Sequence, residues 1–214
     1  MMDALFKTRL MPVVVIDDAE LAEPLAETLL AAGQAAVEIT FRTPAAAACL
    51  QRIARRFPQM IVGAGTLLTV EQVERAVAAG AQFAVAPGLN PRVVERALAL
   101  QVPMFPGVMT PSEVEEGLAL GCRTLKFFPA EAAGGVKMLK SLAGPYAHTG
   151  VRFIPLGGVN AANMAAYLAL PVVAAVGGSW MVERELIAAR DWPRVGALTR
   201  EALAQAGLAV NSKQ

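Results

Sequence analysis

The chain has 214 residues, of which 55% are hydrophobic and 17% are charged, a composition that excludes a largely disordered protein. Basic and acidic residues nearly balance at a formal net charge of +1, and no basic run is longer than Arg55 and Arg56. This excludes a nucleic-acid footprint or a polybasic membrane patch. We expect a single domain over residues 1–214 whose partners are a small molecule and further copies of the same chain.

The cysteines and the apolar segments favour a cytoplasmic protein. Cys49 and Cys122 are too few for a disulfide framework or a cysteine metal cluster. The N-terminal stretch MMDALFKTRLMPVVVIDD has no small-residue cleavage site and does not resemble a secretory signal. The most apolar segment, AAYLALPVVAAVGGSWMV, is broken by Pro171 and by a glycine pair, so it predicts a helix end and a buried strand and no membrane span.

In chain order, residues 2–10 predict a first helix, and short β-rich apolar runs then alternate with alanine- and leucine-rich helix patterns. Gly33, Gly80 and Gly121 stand where a glycine ends a helix. Residues 182–210 predict the last helices. The eight apolar runs are MPVVVI, AAVEITF, MIVGAGT, QFAVAPG, PMFPGV, TLKFFPA, RFIPLGG and VVAAVGGS.

This repeat predicts an α/β protein of the (β/α)₈ TIM-barrel type, preceded by an N-terminal helix. A doubly wound open sheet is the alternative, but such sheets more often have five or six strands, and no G-x-G-x-x-G follows the first run. Active sites of barrels lie at the carboxyl ends of the strands. Polar residues within or just after the strands are therefore the candidates.

Two strands carry charges where a buried strand would be apolar. In VEITFRT, alternation puts Glu38, Thr40 and Arg42 on the face opposite to the apolar residues, which we expect to be the interior of the barrel. In TLKFFPAE, the same alternation points Lys126 and Phe128 into that interior. Glu38 and Arg42 have an alternative interpretation as a structural ion pair.

Lys126 differs from the other lysines because it alone interrupts an apolar strand. Burying an ammonium is costly, and desolvation together with the nearby Arg42 would lower its pKa. A neutral amine attacks a carbonyl carbon to form a Schiff base. The alternative is a lysine whose ammonium reaches solvent and merely neutralises Glu38.

Further candidates follow the other strands. LGGVN and VGGSW end the last two runs, where barrels often bind phosphate, and glycine amides or a following helix start favour an anion. Thr66 ends the third run and either donates to a substrate carboxylate beside Arg42 or caps the next helix. His148 is the only histidine, so a histidine zinc site or nucleophile triad is disfavoured, and we expect no metal and no cofactor.

Together, VEITFRT, VGAGT, APGLN, KFFPAEAAGGVK, GGVN and GGSW resemble the 2-keto-3-deoxy-6-phosphogluconate aldolases, including those that also cleave 4-hydroxy-2-oxoglutarate. The resemblance runs from Pro12 to the last helices, and the KFFPAE block is its most specific part. It implies a cofactor-free class I aldolase, a barrel fold and a homotrimer. The implied substrate is a phosphorylated keto acid that is cleaved to pyruvate and glyceraldehyde 3-phosphate.

The resemblance also implies roles for individual residues. Lys126 would form the Schiff base and Glu38 would act as general acid and base. The implied binding residues for the carboxylate, the pocket wall and the phosphate are, respectively, Arg42 and Thr66, Pro87 and Phe128, and Gly157, Gly158 and Ser179.

One position departs from the family, and two other functions share these residues. The family often has threonine where this chain has Leu156, a change that implies weaker discrimination at the carbon bearing the new alcohol. A sugar-phosphate isomerase or epimerase would use Glu38 to shuttle protons without a covalent intermediate. A barrel that binds a phosphorylated acid without turnover would use Lys126 and Glu38 only as a charge pair.

Overall fold

The computed structural model describes residues 2–211 and the side chains of residues 4–207. The strands are β1 (Leu10–Val14), β2 (Ala36–Thr40), β3 (Ile61–Gly65), β4 (Ala84–Val85), β5 (Met104–Phe105), β6 (Gly107–Val108), β7 (Thr124–Phe127), β8 (Arg152–Pro155) and β9 (Val176–Gly178). The helices are α1 (Met2–Leu5), α2 (Ala22–Ala31), α3 (Ala46–Arg56), α4 (Val70–Ala78), α5 (Pro91–Ala99), α6 (Pro111–Ala119), α7 (Gly135–Ala143), α8 (Met164–Leu168), α9 (Arg184–Ala188) and α10 (Trp192–Asn211).

The strands form parallel sheets, so the predicted α/β class is confirmed. One sheet has the order β5-β4-β3-β2-β1-β9 and the other the order β6-β7-β8. The registers pair Glu38 of β2 with Val13 of β1 and with Gly63 of β3, and they pair Lys126 of β7 with Gly107 of β6. Because all these strands run the same way, their carboxyl ends meet at one edge of each sheet.

Each predicted apolar run contains a strand, but the fifth run, PMFPGV, contains two. Pro106 separates β5 from β6, since a proline has no N–H to donate to a sheet ladder. Its carbonyl oxygen still accepts a hydrogen bond from the Lys126 amide at 2.9 Å. At the far side of the second sheet, Phe153 of β8 forms a parallel bridge with Val173.

Two apolar clusters confirm the predicted directions of the side chains. Val37, Ile39, Leu125 and Phe127 belong to the larger cluster, in which the strands pack against the helices. The opposite faces of both sheets share a smaller cluster, which also contains Leu5 of α1 and Phe6 just after it. Its strand members include Met11, Ala36, Phe105 and Ile154. Burying each large apolar side chain contributes about 1.5–3 kcal/mol to folding.

The first helix is shorter than predicted, because it ends at Leu5 and the chain turns before β1. Arg9 has a φ of 55°, and its guanidinium donates to the carbonyl oxygens of Leu168 at 3.0 Å and Val173 at 2.8 Å. At Arg9 the chain therefore turns toward β1 and does not continue the helix to residue 10. The predicted last helices are confirmed as α9 and α10.

The three predicted helix stops are confirmed. Gly33, Gly80 and Gly121 have φ values of 95°, 100° and 90°, a left-handed conformation that glycine adopts without a steric penalty. Within residues 2–211, none of the helices combines the length and the apolarity that a membrane span requires.

Candidate active site

Lys126 lies inside β7 and is 3% exposed, so its ammonium does not reach solvent as the alternative interpretation required. Its Nζ is 4.7 Å from the centroid of the Phe128 ring. Burial lowers the pKa of Lys126; the Glu38 carboxylate opposes that shift, and the Arg42 guanidinium adds to it. The site therefore makes the neutral, nucleophilic amine easier to form than it is on an exposed lysine.

Glu38 lies inside β2 and is fully buried. Burial raises its pKa, while the positive charges of Lys126 and Arg42 oppose that shift. Neither carboxylate oxygen has a hydrogen-bond partner, and among the ion pairs of the described residues none involves Glu38. The structural ion-pair interpretation is therefore not what the geometry shows. A buried carboxyl group without a partner is available to exchange a proton with a ligand.

Gly65 makes room for this carboxyl group, a role that sequence reasoning missed. A Cβ placed on Gly65 would lie 1.8 Å from Oε1 of Glu38. Gly65 pairs with Thr40 across the ladder between β2 and β3, two residues beyond the pair of Glu38 and Gly63. The glycines of GAGT could have signalled close packing, but only the ladder register identifies the side chain that fills the space.

Arg42 and Thr66 form the second polar part of the site. Nε of Arg42 donates to the Thr66 hydroxyl at 3.0 Å. Thr66 has a φ of 58°, which is strained for a β-branched residue and costs of order 1–3 kcal/mol. The alternative interpretation of Thr66 as a helix cap is wrong, because Thr69 caps α4 by accepting a hydrogen bond from the Gln72 amide. Such strain concentrates at functional sites.

A cleft of about 270 Å³ brings most of the predicted residues together. Glu38, Thr66 and Pro87 do not line it; Glu38 is buried next to it in β2, and Thr66 is linked to it through Arg42. Its lining residues are Val13, Val15, Arg42, Lys126, Phe128, Leu156, Gly157, Gly158, Val159, Gly178 and Ser179.

Pro87, a predicted pocket residue, packs against a neighbouring strand. A Cβ on Gly107 would lie 2.0 Å from the Pro87 carbonyl oxygen, so this backbone packs closely against β6. The next residue, Gly88, accepts a hydrogen bond from the Gly107 amide at 3.3 Å. Pro87 therefore contacts the neighbouring strand and not the cleft.

Gly157 and Gly158, which we call the glycine turn, follow β8 with left-handed φ values of 91° and 82°. In the described part of the chain, the amides of the glycine turn and of Ser179 donate to no protein acceptor. The amides of Asn160 and Ala162, nearer to α8, are already bonded to side-chain oxygens of the same loop. These two amides are therefore occupied, whereas those of the glycine turn and Ser179 remain free.

Four aliphatic side chains also line the cleft. Val13, Val15, Leu156 and Val159 line it, and the Leu156 side chain lies against Gly177, where a Cβ would be 2.7 Å from its Cγ. Strand alternation in MPVVVI could have signalled the two valines of this wall. The cleft therefore combines an amine, a guanidinium, free amides and aliphatic side chains that carry no donor.

A larger cleft, of about 360 Å³, lies at the amino ends of β5 and β7 and is mostly apolar. Burial raises the pKa of its Cys122 thiol to about 11, so that group is protonated at neutral pH. This cleft contains none of the predicted site residues, which lie at the smaller cleft or beside it. Within residues 2–211, His, Cys, Asp and Glu side chains form no group of three or more that could hold a metal ion.

Comparisons with known proteins agree with this geometry. The family model described as "Aldolase: KDPG and KHG aldolase" matches residues 1–198. A 2-dehydro-3-deoxy-phosphogluconate aldolase of Treponema pallidum (strain Nichols) is 47% identical over 206 residues, which cover 96% of this chain and 97% of that protein. A KHG/KDPG aldolase of Escherichia coli (strain K12) is 44% identical over 197 residues, or 92% of each chain.

Among solved structures, the KDPG aldolase of Legionella pneumophila is similar with a TM-score of 0.90 and 42% sequence identity. The similarity covers 94% of this chain and 98% of that chain. That structure contains pyruvate captured at low pH as a covalent carbinolamine intermediate.

Proposed function

Because the chain belongs to the KDPG and KHG aldolase family, we propose that it is a class I aldolase. It cleaves 2-keto-3-deoxy-6-phosphogluconate (KDPG) to pyruvate and glyceraldehyde 3-phosphate through a Schiff base on Lys126. It also cleaves 4-hydroxy-2-oxoglutarate (KHG) to pyruvate and glyoxylate. The observation that carries this function is the buried Lys126, with its lowered pKa, in a cleft that ends in the free amides of the glycine turn.

The reaction begins with the neutral amine of Lys126, which attacks the keto carbon C2 and forms a carbinolamine. Glu38 donates a proton to the departing hydroxyl, water leaves, and a protonated imine remains on Lys126. This cation is the electron sink for the next bond cleavage. The raised pKa of Glu38 suits the donor role, because the carboxyl group keeps its proton at a higher pH than an exposed carboxyl does.

Glu38, now a carboxylate, then removes the proton of the C4 hydroxyl directly or through a water. The electrons of the C3–C4 bond move toward the imine nitrogen, glyceraldehyde 3-phosphate leaves, and an enamine remains. Protonation at C3 and hydrolysis of the imine release pyruvate and restore Lys126. The lysine and the carboxyl group thus complete the cycle without a cofactor.

The remaining predicted residues bind the two ends of the substrate. Arg42, held by its hydrogen bond to Thr66, binds the carboxylate of the pyruvyl end. The glycine turn and Ser179 bind the phosphate through their free amides. Phe128 shapes the pocket beside Lys126, whereas we assign Pro87 the support of the neighbouring strand.

The direct test is turnover by the purified wild-type protein. We expect equal amounts of pyruvate and glyceraldehyde 3-phosphate from KDPG, the first measured by coupled reduction with NADH and the second by coupled oxidation with NAD, with separate dehydrogenases. Conversion of a sugar phosphate to an isomer, with no pyruvate released, would support the isomerase instead. Binding of KDPG without any product would support a barrel that binds a phosphorylated acid without turnover.

Leu156 weakens the selection between the two C4 epimers, because the wall that faces the carbons between Lys126 and the glycine turn has no side-chain donor. We expect Leu156→Thr to raise the ratio of the two epimers by about tenfold, the equivalent of one net hydrogen bond. The ratio is measured by NMR on the product of pyruvate and glyceraldehyde 3-phosphate. Leu156→Val, which has the shape of threonine without its hydroxyl, is the matched control; equal ratios in both variants would disprove the effect.

We further propose that the strands close into one (β/α)₈ barrel domain. The bridge between Phe153 and Val173 supports the contact of β8 with the segment leading to β9, and Pro106 alone separates β5 from β6. A homotrimer in the cytoplasm completes the proposal. The two cysteines, both free and buried, support a reducing compartment.

A further inference from the structure

Tyr167, on α8, is fully buried, and its hydroxyl donates a hydrogen bond to Oε1 of Glu131. Burial and the bond to Glu131 raise the pKa of Tyr167, so the hydroxyl remains a neutral donor at neutral pH. Gly135 leaves space for this bond, since a Cβ there would lie 3.3 Å from Oε1 of Glu131 and 3.5 Å from the Tyr167 hydroxyl. The bond joins α8 to the segment that follows β7.

Glu131 lies against the glycine turn with both its side chain and its backbone. A Cβ on Gly158 would be 2.7 Å from Cβ and Cγ of Glu131, so these methylenes cover that glycine. The Glu131 amide donates to the Gly157 carbonyl oxygen at 3.0 Å, and the Ala130 amide donates to the Leu156 carbonyl oxygen at 2.7 Å. Residues 130 and 131 therefore hold two successive carbonyl groups of the turn.

These bonds determine where the amides of the turn point. In a planar trans peptide, the C=O and the N–H of the same unit point in opposite directions. Because the carbonyl groups of Leu156 and Gly157 point toward residues 130 and 131, the amides of Gly157 and Gly158 point away from them. Both amides are free, and both glycines line the cleft.

The next peptide unit, which begins at the Gly158 carbonyl group, is held by two side chains of the following loop. The side-chain amides of Asn160 and Asn163 each donate to the Gly158 carbonyl oxygen at 3.1 Å. The carbonyl groups of Leu156, Gly157 and Gly158 are thus all hydrogen-bonded. The amides of the same peptide units point the other way and are free to form a concave anion site. Tyr167 is buried and Glu131 is exposed, and neither of them lines the cleft.

We propose that Glu131, held in place by Tyr167, is a positioning residue that aims the amides of the glycine turn at the substrate phosphate. This inference rests on the proposed aldolase function. The pair acts on the phosphate end alone, since imine formation takes place at Lys126 on β7 and proton transfer at Glu38 on β2. A substrate without a phosphate, such as KHG, gains nothing from the pair.

The test compares two substrates in one set of variants. We expect Tyr167→Phe to raise KM for KDPG by about tenfold, the effect of one lost hydrogen bond, while its kcat stays unchanged. For KHG, kcat and KM both stay at wild-type values. Glu131→Ala, which removes the acceptor and the methylenes over Gly158, gives a rise at least as large.

Glu131→Gln is the matched conservative variant, because glutamine keeps the methylenes and an oxygen that accepts from Tyr167. We expect its KM for KDPG to stay at the wild-type value. An unchanged KM for KDPG in Tyr167→Phe and Glu131→Ala would overturn the inference, as would an equal rise for KDPG and KHG, which signifies general structural damage. Thermal unfolding shows that each variant is folded, and Glu131→Ala, at an exposed residue, covers the case in which Tyr167→Phe does not fold.

A direct binding measurement separates this inference from the proposed function. Inorganic phosphate is the probe, titrated by calorimetry into the wild-type protein, Tyr167→Phe and Glu131→Gln. We expect weaker phosphate binding only in Tyr167→Phe, whether or not the protein turns over KDPG. Equal binding by all three overturns the positioning role, whereas a wild-type protein that binds phosphate but releases no pyruvate overturns the aldolase alone.

Discussion

Lys126→Ala forms no covalent adduct with pyruvate and cleaves no KDPG. The variant lacks the amine that makes the imine. We therefore expect its kcat for KDPG to fall by more than the factor of about 10² to 10⁴ that acid and base catalysis contributes. The measurement is intact-mass analysis and peptide mapping after incubation with pyruvate and cyanoborohydride. The wild-type protein should carry one reduced pyruvyl adduct on the peptide that contains Lys126.

Lys137→Ala and Lys140→Ala are the matched controls, because both lysines are exposed on α7. They should form the adduct and cleave KDPG like the wild-type protein. An adduct that survives in Lys126→Ala would show that another lysine forms the imine. Bound pyruvate without any adduct in the wild-type protein would exclude class I aldolase chemistry.

The pH dependence of adduct formation tests the desolvation of Lys126 separately. Its pKa is lowered by burial, and only the neutral amine attacks the keto carbon. The neutral fraction rises with pH through the pKa, so a lowered pKa moves that rise to lower pH. We expect a midpoint below the ordinary lysine value of about 10.4; a midpoint at that value would contradict the electrostatics of the site.

Glu38→Gln is expected to lower kcat for KDPG by about 10²- to 10⁴-fold. Glutamine has nearly the same size as glutamate but transfers no proton at neutral pH, so dehydration of the carbinolamine and cleavage of the C3–C4 bond both become slow. The pyruvyl adduct on Lys126 should still appear after long incubation. Stopped-flow and steady-state assays of pyruvate release measure the effect, and full activity in this variant would reject the role of Glu38.

Gly65→Ala tests the same role while leaving the carboxyl group in the protein. The added Cβ would lie 1.8 Å from Oε1 of Glu38, so the carboxyl group must move. A displacement of about 1 Å at a catalytic group lowers the rate by about 10²-fold. Gly144→Ala is the control, since beyond its chain neighbours and its own helix backbone no heavy atom lies within 4 Å of the new Cβ, and its φ is −50°.

The sequence was sufficient for features that depend on neighbouring residues. Side chains alternate strictly along a strand, so VEITFRT and TLKFFPAE already predicted that Glu38 and Lys126 lie opposite to Val37 and Leu125. The clusters of the structure confirm that division for the apolar residues. Glycine stops were predictable for the same reason, because the need for a left-handed residue at a helix end is local.

The resemblance added the roles of residues that no local pattern separates from a turn, such as Ser179. It did not predict that Pro87 lies outside the cleft or that Thr69, three residues after Thr66, caps α4. Both outcomes depend on which backbone groups meet across neighbouring strands and loops. Strand alternation by itself does not predict those contacts between backbone groups.

By itself, then, the sequence determined the order of strands and helices, the faces of the strands, and the buried lysine that no ordinary strand would contain. The tertiary structure alone decided that Gly65 leaves space for Glu38 and that Tyr167 and Glu131 hold the glycine turn. The physical reason is the separation along the chain over which each interaction acts. Dihedral preferences and side-chain alternation act between near neighbours, whereas these contacts form only when distant strands and helices have packed together.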